Sequence, residues 1–155
     1  MIAFKDAETP EDIEHSRLLF KEYEKAIGVD LCFQGFAREL AELPGDYAPP
    51  DGCLILAFVD SALAGCAAMR KSADHICEMK RLYVRSNFRG FGLGRSLALE
   101  AIRRAVRHGY DKMRLDTLPS MTEAISLYQS LGFVVIEPYR FNPVQGAIYM
   151  EKMLH

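Results

Sequence analysis

The part of the chain with the most evident chemistry is a glycine-rich turn, Arg89-Gly90-Phe91-Gly92-Leu93-Gly94-Arg95, between a strand-like and a helix-like stretch. The first turn of a helix presents unpaired N–H groups and partial positive charge, which together attract phosphate. Glycines let an anion approach the backbone closely, and Arg89 and Arg95 could add charge-assisted hydrogen bonds. The segment predicts a phosphate-binding turn, with a tight turn that binds nothing as the open alternative.

Two familiar phosphate-binding loops do not fit this spacing. The glycines follow G-x-G-x-G, whereas the dinucleotide fingerprint is G-x-G-x-x-G. A P-loop would need Gly-Lys-Ser or Gly-Lys-Thr, which this segment lacks. The turn therefore belongs to neither class.

Two motifs of the chain resemble those of the GNAT superfamily of N-acetyltransferases. Residues 89–94 are similar to its R/Q-x-x-G-x-G/A acyl-CoA motif, and Leu82-Tyr83-Val84 resembles the strand end before it. Downstream, the run from Ala124 to Phe133 resembles the signature A-x-x-L-Y-x-x-x-G-F. The order of elements is similar from residue 2 to 153. The resemblance implies one acyl-CoA N-acyltransferase domain over residues 1–155, which moves acetyl from acetyl-CoA to a primary amine by direct transfer.

The resemblance also implies where acetyl-CoA binds. The backbone of the glycine-rich turn would hold the pyrophosphate, and the preceding strand end would pair with the pantetheine arm like an added strand. The implied donor-binding residues are Leu82, Tyr83, Val84, Arg89, Gly90, Phe91, Gly92, Leu93, Gly94 and Arg95. No metal is expected, because the histidines and cysteines show no metal-ligand spacing.

Tyr128 is the candidate proton donor to the departing thiolate, because it matches the tyrosine of the second motif. A phenol with a pKa of about 10 is reasonably matched to a thiol of about 8.5. Tyr128 also lies on one apolar helix face with Leu127 and Leu131, so a packing role is the alternative.

Glu78 is the candidate general base. An attacking amine must be neutral, so its ammonium must lose a proton. Glu78 precedes Leu82 on the same strand, a position that resembles where many family members carry a glutamate that acts through water. An ion pair with Lys80 or Arg81 is the alternative, and some family members have no dedicated base.

The acceptor site in this family is built from the first two helices and the last hairpin. The resemblance therefore implies Tyr23, Phe33, Tyr139 and Arg140 as candidate contacts. Arg140 could bind a carboxylate, or it could be a solvated loop residue. A polyamine, an amino acid, an antibiotic and a protein amine all stay open, and the short chain favours a small molecule.

Other functions and partners are less well supported. A non-catalytic acyl-CoA sensor is the alternative to an enzyme. Arg103, Arg104 and Arg107 could form a basic patch, but a net charge of −2 and the lack of interleaved aromatic residues argue against nucleic acid. No apolar run reaches the roughly 18 residues of a membrane span, so no membrane partner is expected. A homodimer is possible by family resemblance alone.

The composition fits an ordinary globular domain. Half of the 155 residues are hydrophobic and about a quarter are charged, which suffices for a core and a solvated surface. The four cysteines form no CxxC pair, and the N-terminus shows no signal peptide. We therefore expect a reduced protein in the cytoplasm.

Hydrophobic periodicity predicts an α/β fold in the order β, α, α, β, β, β, α, β, α, β, β. The first helix is capped by Thr9 and ends at Gly28, and Ser120 with Glu123 predicts a capping box before the last helix. We expect a mixed, mostly antiparallel sheet of about seven strands with helices on both faces. The remaining predicted helices cover 33–43 and 92–109, and the strands cover 2–5, 53–59, 62–70, 75–84, 112–118, 133–136 and 147–153.

Overall fold

A computed structural model describes the backbone of all 155 residues and the side chains of all except Phe33 and Gln34. Phe33, a candidate acceptor contact, therefore lies outside the described side chains. The strands are β1 Ile2–Asp6, β2 Cys53–Val59, β3 Ala62–Ala73, β4 Ile76–Val84, β5 Lys112–Thr117, β6 Val134–Ile136 and β7 Ile148–Met153. The helices are α1 Pro10–Ile27, α2 Phe36–Glu42, α3 Leu93–Arg107 and α4 Thr122–Ser130.

The seven strands form one sheet in the order β1-β2-β3-β4-β5-β7-β6. Every neighbouring pair is antiparallel except β4 and β5, which are parallel because α3 carries the chain back across the sheet. The predicted mixed, mostly antiparallel α/β sheet is confirmed. Since β7 lies between β5 and β6, the second strand–helix–strand unit does not place its two strands side by side.

Helices cover both faces of the sheet and form two apolar clusters. On one face, α3 presents Leu97, Ala98, Ala101 and Ala105, all fully buried. Alanines at this interface let the helix lie close to the strands, as the sequence predicts. On the other face, α1 and α2 bury Phe20 and other large side chains against β2 and β3.

The start of α1 follows the sequence prediction closely. The Thr9 hydroxyl accepts a hydrogen bond from the Asp12 amide at 3.1 Å, and the Asp12 carboxylate accepts from the Thr9 amide at 3.2 Å. Asp12 is 2 % exposed, and its hydrogen bonds to Lys5 and the backbone outweigh the burial that opposes its charge, so its pKa is held well below the ordinary value. Gly28 ends the helix at a φ of 69°.

Two local predictions are wrong. The second helix was expected over 33–43, but Gly35 adopts a left-handed φ of 69° and separates a 3-10 turn, Leu31–Gln34, from α2. The capping box of Ser120 and Glu123 does not form, because a turn ending at Met121 intervenes and α4 begins without a side-chain cap. Both errors arise where a turn interrupts a helical pattern.

The pairing of β4 with β5 stops after three residues. It runs from Ile76 opposite Lys112 to Glu78 opposite Arg114, and β4 then continues without its neighbour. On the other edge of β4, the register with β3 shifts so that both Arg81 and Leu82 fall between consecutive paired positions. Arg81 has a left-handed φ of 59°, so the extra residue is a β-bulge in the pairing of β4 with β3, just beyond the point where β4 and β5 separate.

None of the helices, as far as their side chains are described, combines the length and apolar character needed to cross a membrane.

Gly65 on β3 is a glycine whose replacement we expect to disturb the sheet. A Cβ there would lie 2.5 Å from the Tyr83 backbone oxygen and 3.2 Å from Leu97 Cδ1. Because a strand backbone cannot yield without moving its neighbours, Gly65→Ala should lower the free energy of unfolding by about 1–3 kcal/mol in urea denaturation. Ala62→Ser, at the exposed start of β3, is the control and should change it by about 0.5 kcal/mol or less. Equal stability of the two variants would contradict this packing.

Candidate active site

A narrow slot opens between β4 and β5 beyond their last paired residues. Its cavity volume is about 40 Å³. Five elements contribute to its walls, through Tyr23 of α1, Lys80 to Leu82 of β4, Asp116 of β5, Tyr128 of α4, and Asn142 of the loop before β7. The slot has room for a small group on an extended arm.

The bulge at Arg81 is held by contacts with α1 and α2. Its guanidinium donates two hydrogen bonds to the Glu39 carboxylate of α2, at 2.9 and 2.8 Å. The same group lies 5.8 Å from the Tyr23 ring centre and 5.2 Å from that of Phe36. Because the bonds are bidentate and Arg81 is 3 % exposed, the bulge has little freedom to straighten.

The glycine-rich turn lies at the end of the same strand and is open to solvent. Gly90 and Gly92 have φ values of 86° and 76°, and a Cβ on either would meet no atom within 4 Å. No side chain caps the N-terminus of α3, so its first N–H groups point outward. Left-handed glycines and an uncapped helix end are the features that a phosphate needs.

The two arginines of the turn lie at its rim. Arg89 donates to the Val84 carbonyl at 2.9 Å and lies over the Tyr83 ring, while Arg95 donates to the Ser130 hydroxyl at 2.9 Å. Both side chains are exposed, and Phe91 is 79 % exposed. An anion bound at the turn could therefore be met by either guanidinium without a change in the backbone.

Tyr128 is buried at the α4 side of the slot. It is 7 % exposed and packs edge-on against Phe133, with ring centres 5.7 Å apart. Burial raises the pKa of Tyr128 well above its ordinary value, so the phenol stays protonated at neutral pH. The structure shows that Tyr128 packs in the core and lines the slot, and its role as a proton donor stays a prediction.

Glu78 is completely buried and its carboxylate is fully engaged. Oε1 accepts a hydrogen bond from Arg70 Nε at 3.0 Å and another from Arg140, and Oε2 accepts from the Tyr139 hydroxyl at 2.6 Å. The partners differ from the ion pair with Lys80 or Arg81 that the sequence suggests. This geometry gives Glu78 the role of an anchor that holds the 137–147 loop onto the sheet.

The candidate acceptor contacts lie at two ends of the slot region. Tyr23 lines the slot directly, whereas Tyr139 and Arg140 are joined to Glu78 beside it. Burial and the neighbouring Glu78 raise the pKa of Tyr139 well above its ordinary value, so its hydroxyl remains a donor. Asn142 continues this loop into the slot and donates to Asp116 at 3.2 Å.

Sequence reasoning missed Lys80 and Asp116 as slot residues. Lys80 Nζ lies 3.9 Å from Asp116 Oδ1, and the two side chains are 3 % and 6 % exposed. Burial lowers the pKa of Lys80 from 10.5 to about 7. The signal was present in β5, where Lys112, Arg114 and Asp116 alternate with apolar residues and mark a polar sheet face.

Among the residues whose side chains are described, no three histidine, cysteine or acidic groups lie together as a metal site would require.

Comparison with known proteins identifies relatives over most of the chain. Residues 13–133 match the model of the acetyltransferase (GNAT) family. An uncharacterised N-acetyltransferase of Schizosaccharomyces pombe is 39 % identical over 151 residues, covering 96 % of this chain and 93 % of the relative.

Two further matches are more distant or partial. Human N-acetylaspartate synthetase is 36 % identical over 86 residues, which are 55 % of this chain and 28 % of that protein. The crystal structure of the PaiA N-acetyltransferase of Thermoplasma acidophilum, in complex with coenzyme A, superposes with a TM-score of 0.73 at 24 % identity and covers 99 % of both chains. The second match shows a shared fold.

Substitution of Glu78 tests its place in the structure. Glu78→Gln leaves two arginines without their carboxylate, and we expect a loss of about 2–4 kcal/mol in the free energy of unfolding. Glu42→Gln is the control, because Glu42 makes an exposed pair with Arg38 and should cost about 0.5 kcal/mol or less. Urea denaturation of both variants at neutral pH measures the difference. A Glu78→Gln variant as stable as the control would contradict the anchoring role.

Proposed function

The chain belongs to the acetyltransferase (GNAT) family, and on that premise we propose that it transfers acetyl from acetyl-CoA directly to the primary amine of a small molecule. The observation that carries the proposal is the alignment of two features on one strand. β4 separates from β5 after Glu78 to open a slot beside the Arg81 bulge, and the same strand leads into the open glycine-rich turn. An extended donor with a phosphate-bearing end fits this path.

Acetyl-CoA would supply the acetyl group as a thioester. The uncapped N-terminus of α3 and the glycines of the turn hold its pyrophosphate, with Arg89 and Arg95 at the rim. The edge of β4 from Leu82 to Val84 that faces β5 lacks a strand partner, so its backbone groups can bond the pantetheine arm. A backbone N–H near Leu82 lies at the bulge and is suited to stabilise the developing oxyanion.

Tyr128 donates the proton that the departing sulfur needs. Its position in the slot and the burial that raises its pKa support this role, because a phenol protonated at neutral pH is a competent donor. The apolar packing around the ring fixes the direction of the hydroxyl.

A small acceptor is supported by the size of the slot and by one relative. The cavity is narrow, and the 137–147 loop is anchored across its acceptor side through Glu78. The partial match to N-acetylaspartate synthetase is a match to an enzyme named for a small amino-acid product. A cytosolic site of action agrees with the four unpaired cysteines, of which three are buried.

Calorimetry with acetyl-CoA tests the donor site. Gly92→Glu places a carboxylate at the helix N-terminus where the pyrophosphate is expected, so binding should weaken at least about 100-fold by charge repulsion and lost backbone contact. Gly109→Glu is a matched control, because Gly109 also has a positive φ with open space around it but lies beyond the C-terminal end of α3. Equal affinity of the two variants would place the phosphate site elsewhere.

Tyr128→Phe tests catalysis separately from binding. We expect the variant to bind acetyl-CoA within about threefold of the parent, while CoA release with a panel of primary amines falls about 10²-fold or more. Tyr110→Phe, which removes another buried hydroxyl far from the slot, should retain turnover. Unchanged turnover in Tyr128→Phe rejects the proton-donor role. Binding of acetyl-CoA without release by the parent protein would indicate a sensor rather than an enzyme.

A further inference from the structure

We propose that Lys80 is the general base of this site and accepts the proton that the acceptor ammonium must lose. The inference rests on the proposed acetyl transfer and adds a catalytic residue to it. Lys80 lines the slot between β4 and β5, one residue before the bulge, and its side chain is 3 % exposed. It therefore lies beside the place where the acceptor nitrogen must meet the acetyl group.

Lys80 and Tyr128 occupy opposite faces of the sheet. Tyr128 belongs to the apolar cluster of α3 and α4, whereas Lys80 lies with Asp116 on the face that α1, α2 and the 137–147 loop cover. A thioester in the slot would thus have a proton donor on the side of its sulfur and a base on the side from which the amine arrives. This division suits a direct transfer, in which one proton is removed and another is supplied.

The neighbouring carboxylate is poorly placed for the same role. Glu78 already accepts hydrogen bonds from Arg70, Arg140 and Tyr139, and it has no exposed surface. Protonation of Glu78 would weaken these interactions and remove the carboxylate that pairs with both Arg70 and Arg140, which is costly in a buried site. Lys80 can gain or lose a proton while Asp116 remains beside it.

The surroundings of Lys80 set its protonation near neutrality. Burial favours the neutral amine, and Arg81 and Arg140 act in the same direction, while Glu78 and Asp116 favour the ammonium form. The balance lowers the pKa of Lys80 to about 7. The tyrosines that also line the slot, Tyr23 and Tyr128, have raised pKa values and stay neutral, so they add no charge at this pH.

Lys80, Tyr128 and solvent account for every proton in the step. Lys80 Nζ takes one proton from the acceptor ammonium, and the freed nitrogen forms a bond to the acetyl carbon as the carbon–sulfur bond breaks. The Tyr128 hydroxyl protonates the departing sulfur, the new amide nitrogen releases its second proton to solvent, and Tyr128 recovers a proton from solvent. Lys80 then releases its proton to solvent, which leaves one amide, one thiol and one proton.

A titration of the lysine itself tests the inference without an acceptor. In protein labelled with ¹³C at lysine Cε, the Lys80 resonance is assigned by its loss in Lys80→Met. The signal should titrate with a midpoint of about 7, against the ordinary 10.5. A midpoint at the ordinary value would overturn the proposal, since the side chain would then be an ammonium throughout the working range.

Turnover with two nucleophiles of different basicity provides the second test. For the basic primary amine of the panel that the parent protein acetylates fastest, Lys80→Met should lose about 10²-fold or more in kcat/KM. In the parent protein, kcat/KM should fall as the pH drops below about 7, because protonated Lys80 cannot accept a proton. Hydroxylamine is neutral at pH 7 and needs no base, so the variant should acetylate it within a few fold of the parent.

Two controls separate a lost base from a lost fold. Lys80→Met should bind acetyl-CoA like the parent, and Lys112→Met, which replaces a half-exposed lysine on β5, should keep its turnover. Equal losses with hydroxylamine and with the basic amine would show a positioning defect and overturn the proposal. Acetyl-CoA binding by the parent without transfer to any amine would instead count against the proposed function.

Discussion

The left-handed residue in the middle of β4 is the feature on which the rest of the site depends. A non-glycine residue in this conformation costs roughly 1–2 kcal/mol, and Arg81 adopts it inside a strand whose neighbours are regular. Its bidentate pair with Glu39 and its stacking on Tyr23 and Phe36 offset that cost. The pairing of β4 with β5 ends at Glu78, shortly before the bulge, and the slot opens beside the unpaired part of β4 that carries Arg81.

The bulge also joins the two halves of the site mechanically. The proposed acceptor side is built by α1 and α2, and these are the helices that hold Arg81 in place. The donor side is the continuation of the same strand into the glycine-rich turn. A shift of α2 would therefore move the part of β4 that lines the slot, so one interaction sets the geometry of both proposed substrate sites.

The two faces of the sheet differ in polarity beside the slot. Toward α3 and α4 the sheet is an apolar core, in which Tyr128 is buried and remains protonated. Toward the 137–147 loop it carries buried charges that are paired with one another, Glu78 with Arg70 and Arg140, and Asp116 with Lys80. Buried charges of this kind are costly unless paired, and their arrangement fixes both the loop and the protonation of the lysine.

The sequence predicts the order of elements, the mixed sheet and the glycine-rich turn, because these depend on local periodicity and on a short motif. The resemblance to the family's second motif also identifies Tyr128 as a site residue. The partners of Glu78 could not be predicted from the sequence, because Arg70 and Arg140 come from separate segments that only the folded structure brings together. Likewise, no local pattern distinguishes Arg81 from an ordinary strand residue, so the bulge could not be predicted.

An amide chemical-shift titration of ¹⁵N-labelled protein with acetyl-CoA tests the central claim, that the separated part of β4 and the turn after it form the donor site. The largest chemical-shift changes should fall on the N–H groups of Leu82 to Val84 and of Gly90 to Arg95. A larger surface cleft of about 400 Å³, lined by Arg104, Arg107 and His108, offers positive charge on another part of the molecule. Changes concentrated at that cleft, with residues 82–95 unaffected, would contradict the account.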